Sequence, residues 1–587
     1  MNFQELVNNL RLDTINVSLP GFQPELAICA TIVVMLLGRI PRWRLDAFYV
    51  ALAGSIAALV LAAPWRYLGV DAPTASGTYP AEIFTGMLLF DGMTVYFRSV
   101  LLLFAVLFIV MTRLSGIPDR EDGADFYTLI LGGILGMCIM ASANHLLMVF
   151  VGVEMASVPS YALAGMLKGR RKSSEAALKY SVFGAGTAGV MLYGISLIAG
   201  ATGSAHLPTI VTQLASMPAD VFAERESVLM LGGLMLAVGL AFKLSAVPFH
   251  FWCPDVFEGA SAEVNAFLSV ASKAGALALL VRIGIGFTHA PAAVPTAELP
   301  IAERSATAQV VLVSAAQPGP ALEHEAPAAT GVVPATEPPK DELKHVITGE
   351  PASEDTTLDR VRDYIAGLIA LLAAVTCTFG NLAAYAQTNI KRLLAYSTIA
   401  HAGYMMMPVA AAVALVGHDS EQAEQAVAAV AFYVGVYLFM NLGAFAIVAF
   451  LRNTMRSEEI SDYGGLIRHS PGLVICFSII LISLVGLPFF SGFIAKVLAF
   501  YALIPAGLLW LLVVGGLNTA ISLFYYLRVV KAMTMDPEPA DRLPVDFSMV
   551  SAEGAFVALI TLPVVVLGVA WDPLYRWAIA ASHQLLS

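Results

Sequence analysis

Charge is scarce in this sequence. Asp, Glu, Lys and Arg make up 13% of its 587 residues, about half the share found in a soluble domain. No run of lysine or arginine is dense enough to follow a phosphate backbone, which excludes nucleic acid as a partner. The five cysteines (Cys29, Cys138, Cys253, Cys377 and Cys476) form no C-x-x-C pair and lie in or beside apolar segments. Iron–sulfur and zinc sites need clustered ligands, so no metal centre and no bound cofactor are expected in this chain. The thiols read as small buried hydrophobes. The first twenty residues carry no basic n-region, which argues against a cleaved signal peptide. The net charge of −11 points to no class of partner, because the excess acid collects in one stretch.

Apolar runs fill the chain instead. Hydrophobic residues form 58% of it, and many runs approach the ~20 residues needed to cross a bilayer. The pattern predicts an all-α polytopic membrane protein with about 14 transmembrane helices, so the lipid bilayer is its first partner. The spans read at roughly 22–39, 45–63, 93–112, 125–142, 145–167, 174–200, 227–246, 262–285, 361–380, 391–416, 425–451, 472–502, 507–531 and 551–571.

Loop charge orients the stack. With the N-terminus outside, eighteen lysines and arginines fall on inner loops. Five fall on short outer segments: Arg11, Arg66, Arg98, Arg225 and Arg576. The positive-inside rule then places both termini on the outer face of a bacterial-type inner (cytoplasmic) membrane. Lys391 and Arg392 read as inner-face anchors, and Arg282 as a charge flanking the long loop. Residues 288–360, rich in Ala, Pro and Glu, lack apolar periodicity. Such a segment buries too little surface to offset its ordering entropy, so it reads as an acidic, disordered outer loop. Within it, Ala308–Ala316 is the one stretch that could form a strand or helix.

Three lysines remain inside spans: Lys243, Lys273 and Lys496. Glu154 joins them near the middle of span five. Each mid-membrane charge costs about 2.5–3.5 kcal/mol on insertion scales, so four unpaired charges would cost roughly 10–14 kcal/mol. Structural polarity in a membrane is supplied more cheaply by Ser, Thr or Asn, which makes a proton relay the stronger reading and a buried ion pair the alternative. Two prolines mark breaks, Pro248 in "LSAVPFHFW" and Pro488 in "LVGLPFFSGF". A proline removes a backbone donor. In lipid, the freed groups must be satisfied by protein or water, and broken helices of this kind line ion paths. His250 could extend a water wire or partner the carbonyls of the broken helix, and His401 carries the same alternatives. Asp91 reads as a subunit contact or a helix-start residue.

The stretches "FKLSAVPFHFWCPDVFEGA", "FLSVASKAGA", "NLAAYAQTNIKRLLAYSTIAHAGYM" and "GLPFFSGFIAK" together resemble the antiporter-like membrane subunits of proton-pumping NADH:quinone oxidoreductase (respiratory complex I), and within that family its N-type members. Lys496 stands where the M-type members usually carry glutamate. Ser261 departs from the family pattern, which has proline there, and the long acidic loop is also untypical. The resemblance implies two inverted five-helix repeats, each with a broken helix: residues 125–287 (spans four to eight) and 361–533 (spans nine to thirteen). Residues 1–124 would form a three-helix N-terminal segment, and 534–587 a last span with an amphipathic tail. By motif, Glu154, Lys243, Lys273 and Lys496 would be the proton relay. The flavin, iron–sulfur clusters and quinone would belong to partner subunits, and the chain's protein partners would be the other membrane-arm subunits. The alternative on the same module is a subunit of a multi-protein cation/proton antiporter or of a membrane-bound hydrogenase.

Overall fold

The computed structural model describes residues 3–38, 46–63, 80–118, 122–167, 169–289, 357–545 and 547–586. Residues 290–356 of the acidic loop, with the 308–316 stretch, lie outside the described residues, as do Arg39, Arg42, Arg44, Arg66, Arg120 and Lys168. The loop reading runs too far at its C-terminal end, because 357–360 already belong to a helix.

Every span read from the sequence falls on helix, because a chain in lipid must bond its backbone internally. Besides the helices Phe3–Asp13, Leu19–Gly21 and Leu207–Ala215, the α-helices in order are α1 (Gln23–Leu37), α2 (Ala47–Ala62), α3 (Gly92–Ser115), α4 (Gly123–Ser142), α5 (Leu146–Ala164), α6 (Arg171–Thr202), α7 (Ala219–Leu244), α8 (Trp252–Gly259), α9 (Ala262–Ser269), α10 (Ala271–Gly286), α11 (Thr357–Ala384), α12 (Ile390–Leu415), α13 (Ser420–Met455), α14 (Pro471–Val485), α15 (Ser491–Tyr501), α16 (Leu509–Thr534), α17 (Ala552–Val569) and α18 (Asp572–Leu586). The count differs from fourteen. Among the described residues eleven helices are long and apolar enough to cross a membrane, or twelve if a pair bent by 83° at Phe22 is one span. Helix α2 falls short at sixteen residues. Span 472–502 is split into α14 and α15, with Gly486 and Phe489 at φ of +87° and +75° around Pro488.

Two details were absent from the sequence reading. A small antiparallel hairpin, β1 (Ala81–Ile83) and β2 (Leu88–Phe90), precedes α3; its turn runs through Phe84, Thr85 and Gly86, all at positive φ. Span eight is also interrupted, at Val270 between α9 and α10. Ser261, the departure from the family pattern, caps α9: its Oγ accepts from the Val264 amide at 3.3 Å.

Helices α9, α10, α12 and α13 are almost wholly buried, whereas α6, α16 and α17 keep most of their surface outward. The two halves of the chain share one core: α12 packs on both α8 and α10, and α13 packs on α9 and α3.

Two charges read as peripheral are buried. Arg98, counted with the outer segments, sits inside α3 with its Nε 2.7 Å from Glu25 Oε1. Arg282, assigned to the loop flank, lies in α10 and grips Asp91 through Nη1 and Nη2 at 2.7 and 2.5 Å. Asp91 also caps α3 by accepting from the Thr94 amide at 2.8 Å, which bears out its reading as a helix-start residue. The spans 93–112 and 262–285 already contain both arginines; the loop-charge count set them outside because each neutralising acid is remote in sequence. Removing one partner of a buried pair strands the other. Asp91→Ala should therefore cost about 3–5 kcal/mol, read as a lowered Tm and poor assembly, while Asp91→Asn, which still caps α3, should retain part of that stability.

Candidate functional site

The site grows from the two helix breaks. In an α-helix the amide of residue 248 would bond the carbonyl of residue 244, but Pro248 has no N–H. Ser245 turns into the left-handed region at φ +58°, α7 stops, and the Leu244 carbonyl is left at its C-terminus. Lys273, which enters from α10, donates to that carbonyl at 2.7 Å.

The second break repeats the device. The amides of Gly486 and Leu487 fold back onto Ile482 and Ser483, so the last carbonyls of α14 lack backbone partners. Lys496 of α15 donates to the Val485 carbonyl at 2.7 Å, and the Leu484 carbonyl faces the His401 ring. Gly486 supplies the positive φ, and Gly492 the close approach: a Cβ there would stand 1.9 Å from the Ser483 oxygen. A helix C-terminus is a partial negative charge and favours a cation. By contact, Lys273 at the first break matches Lys496 at the second.

Lys243, Lys273 and Lys496 are only 3%, 2% and 3% exposed. Lys243 lies one residue before the orphan carbonyl and donates to Ser157 Oγ at 3.0 Å. Ser157 donates its own hydrogen bond to the Val153 carbonyl at 2.6 Å, so toward Lys243 it is the acceptor. Glu154 stands three residues before Ser157 on α5, a spacing that puts both on one face. No direct ion pair joins Glu154 to Lys243, although each lies within the other's electrostatic reach. Glu154 is half-buried.

His401 is fully enclosed in α12. Its Nδ1 is 2.9 Å from the Tyr433 hydroxyl and its Nε2 3.3 Å from that of Tyr526. It sits within electrostatic range of both Lys273 and Lys496, between the two broken helices. His250 is placed differently. It lies in the first break with its ring 4.4 Å from Phe379, its Nδ1 makes no hydrogen bond, and none reaches a lysine.

Lys391, read as an inner-face anchor, is buried at that end of the helices. Its side chain is buried and donates to the carbonyls of Glu258 and Ala260 at 2.9 and 2.8 Å, closing the C-terminus of α8. It also pairs with Glu458 at 2.9 Å. Arg392 bonds Asp255 and Glu258 at 3.1 and 2.6 Å, and these acids also take Lys179 and Lys172 of α6, each at 2.7 Å. The two acids of α8 thus tie the halves of the chain together at its basic end. A sign was present in the sequence: a lysine in the first turn of a helix opposes the dipole, so it needs another helix's C-terminus or an acid.

The family model described as "NADH:quinone oxidoreductase/Mrp antiporter, TM" matches residues 143–297 and 356–522. NADH-quinone oxidoreductase subunit N of Anaeromyxobacter sp. (strain Fw109-5) is 35% identical over 581 residues, 96% of each chain. The chain belongs to the subunit N family of NADH-quinone oxidoreductases. A second relative, subunit N 2 of Sorangium cellulosum, is 35% identical over 97% of this chain and 98% of its own. A subunit N family member is one polypeptide of a larger respiratory complex, and a solved structure agrees: a chain of respiratory complex I from Thermus thermophilus superposes with a TM-score of 0.64 at 27% identity, over 94% of this chain and 97% of that one. The fold is wider than the family. A chain of the Mrp complex from Dietzia sp. reaches a TM-score of 0.68 at 17% identity, over 97% of both chains.

The clasp at the basic end yields a direct test. Lys391→Ala leaves Glu458 and two carbonyls without their cation. It should cost about 3–5 kcal/mol, seen as dissociation of the complex on native gels and a lowered Tm, whereas Lys531→Ala, whose exposed pairing with Asp536 spans 3.6 Å, should change little.

Proposed function

We propose that this chain is a proton-translocating membrane-arm subunit of an NADH-quinone oxidoreductase, and that Glu154, Lys243, Lys273, His401 and Lys496 form its buried relay. One observation carries the reading: at both helix breaks a buried lysine donates to a carbonyl that the break itself has freed. Structural glue would not need an ionisable group at both positions. Burial opposes the ammonium charge, and the carbonyl end of the broken helix supports it. A small shift of α7 or α14 therefore changes which of the two wins, and the lysine gains or loses a proton. Ser157 holds Lys243 within reach of Glu154, so movement of α5 is felt at the same site.

The recurrence of break and capping lysine supports two repeats, at residues 125–287 and 361–533. The breaks that define them are Pro248 and Pro488. Lys172, Lys179, Arg392, Arg452 and Arg456 gather at one end of the helices, which by the positive-inside rule faces the cytoplasm; both termini then face outward from a bacterial-type inner membrane. His250 lies off the row of lysines, where it has a free ring nitrogen for water. The redox groups belong to partner subunits, and this chain supplies proton carriers alone. The Mrp-like fold keeps an antiporter role in view, but relatives alike over nearly their whole length favour the quinone-linked complex.

Lys243→Ala should sharply reduce coupled quinone reduction and proton pumping while the complex still assembles. Lys243→Arg should be nearly as damaging, because arginine does not deprotonate in proteins; an assembled variant that pumps fully would remove Lys243 from the relay. Glu154→Gln combined with Lys243→Ala should be strongly non-additive in pumping rate, and simply additive losses would separate the two groups.

A further inference from the structure

The lysines that cap the two breaks meet their freed carbonyls alike, each at 2.7 Å, and both are buried. Their other neighbours differ. The Lys496 ammonium stands over the face of the Tyr404 ring, 4.3 Å from its centroid. Among the described residues, no aromatic ring stands in this way over Lys243 or Lys273.

The ring is pinned by groups other than the lysine. Tyr404 lies on α12 and is buried. Its hydroxyl accepts from Asn381 Nδ2 at 3.3 Å and lies 3.4 Å from Thr519 Oγ1. The Phe500 ring meets it edge to face, with centroids 6.2 Å apart. Phe500 stands four residues after Lys496 on α15, so one face of that helix presents both side chains to Tyr404. A ring held in this way needs no rearrangement when a charge appears against it.

We propose that the Tyr404 ring face selectively holds the ammonium form of Lys496, so that the second break keeps its proton more tightly than the first. This rests on the reading of Lys496 as a proton carrier. A freed carbonyl favours the charge at both breaks and so does not distinguish them; the ring does. Its quadrupole attracts a cation and has little hold on a neutral amine. In a desolvated site that difference is worth about 2 kcal/mol, or roughly thirtyfold in proton affinity. Tyr404 carries no proton; it is a positioning residue that acts through the charge of Lys496. The competing account is that the ring only packs α12 against α15.

The test uses the intact complex in inverted membrane vesicles, with lumen acidification and quinone reduction followed together across pH. Tyr404→Phe keeps the ring face and should leave the pH profile of pumping unchanged. Phenylalanines with one, two and three ring fluorines at the same position keep the shape and weaken the hold on a cation step by step. Lys496 then loses its proton at a lower pH, so the alkaline limb of the profile should move toward neutral along the series. On that limb the rate should fall by up to roughly thirtyfold. Tyr404→Leu, which has no ring, should move the limb furthest. A flat fluorine series overturns the proposal. So does a loss in Tyr404→Phe as large as that in Tyr404→Leu, which would put the role in the hydroxyl. If Tyr404→Leu does not assemble, the fluorine series decides alone. Lys496→Ala reports on the relay separately. If it pumps fully, Lys496 is no carrier and the proposal falls with that reading; if it fails while the fluorine series is flat, the carrier stands and the ring has no part in it.

Discussion

The structure depends on a carbonyl oxygen with no amide to accept from. A helix that stops within a bilayer leaves such oxygens behind, and each unpaired polar group there costs several kcal/mol. The first break offers Leu244, the second Val485, and both are answered by a lysine from a different helix. The charge of the lysine and the dipole of the broken helix each make the other tolerable. The same logic closes α8, whose last carbonyls are taken by Lys391. Three interrupted helix ends, three lysines and one kind of contact set where α10, α12 and α15 must lie.

Much of this was legible in the sequence, for a physical reason. Lys243, Lys273, Lys496 and Glu154 stand out because hydropathy contrast is strongest where a charge interrupts an oily run, and Pro248 and Pro488 because proline acts through the local backbone. What stayed hidden depends on partners distant in sequence. Nothing near Lys273 indicates that it meets the end of α7, and nothing near Arg98 reveals Glu25. Lys391 looks like a loop anchor until Glu458 and the end of α8 are brought to it. Ser157 was passed over because serine is ordinary in membrane helices, and its importance lies only in what it accepts. The interruption at Val270 has no proline or glycine to announce it; Ser269 Oγ bonds back to the Ala266 carbonyl at 3.1 Å, a local competition that sequence pattern does not rank.

The two halves of the chain are coupled mechanically as well as by charge. Asp255 and Glu258 sit on the short helix that follows the first break, and they hold arginine from α12 and lysines from α6. Any displacement of α8 is therefore transmitted to the helix that carries His401. The clasp lies at the water boundary, where its geometry is not paid for in membrane desolvation, while the groups it positions lie in the interior.

The Arg282–Asp91 pair also has a consequence for biogenesis. Its partners are 191 residues apart in the chain, so at 5–20 residues per second Asp91 leaves the ribosome about 10–40 s before Arg282. For that interval α3 must wait with an acid that has no counter-ion. Insertion of α10 then does more than add a helix: it discharges a liability left by the third span, and a nascent chain halted before residue 282 keeps that carboxyl as a mark of incompleteness open to membrane quality control.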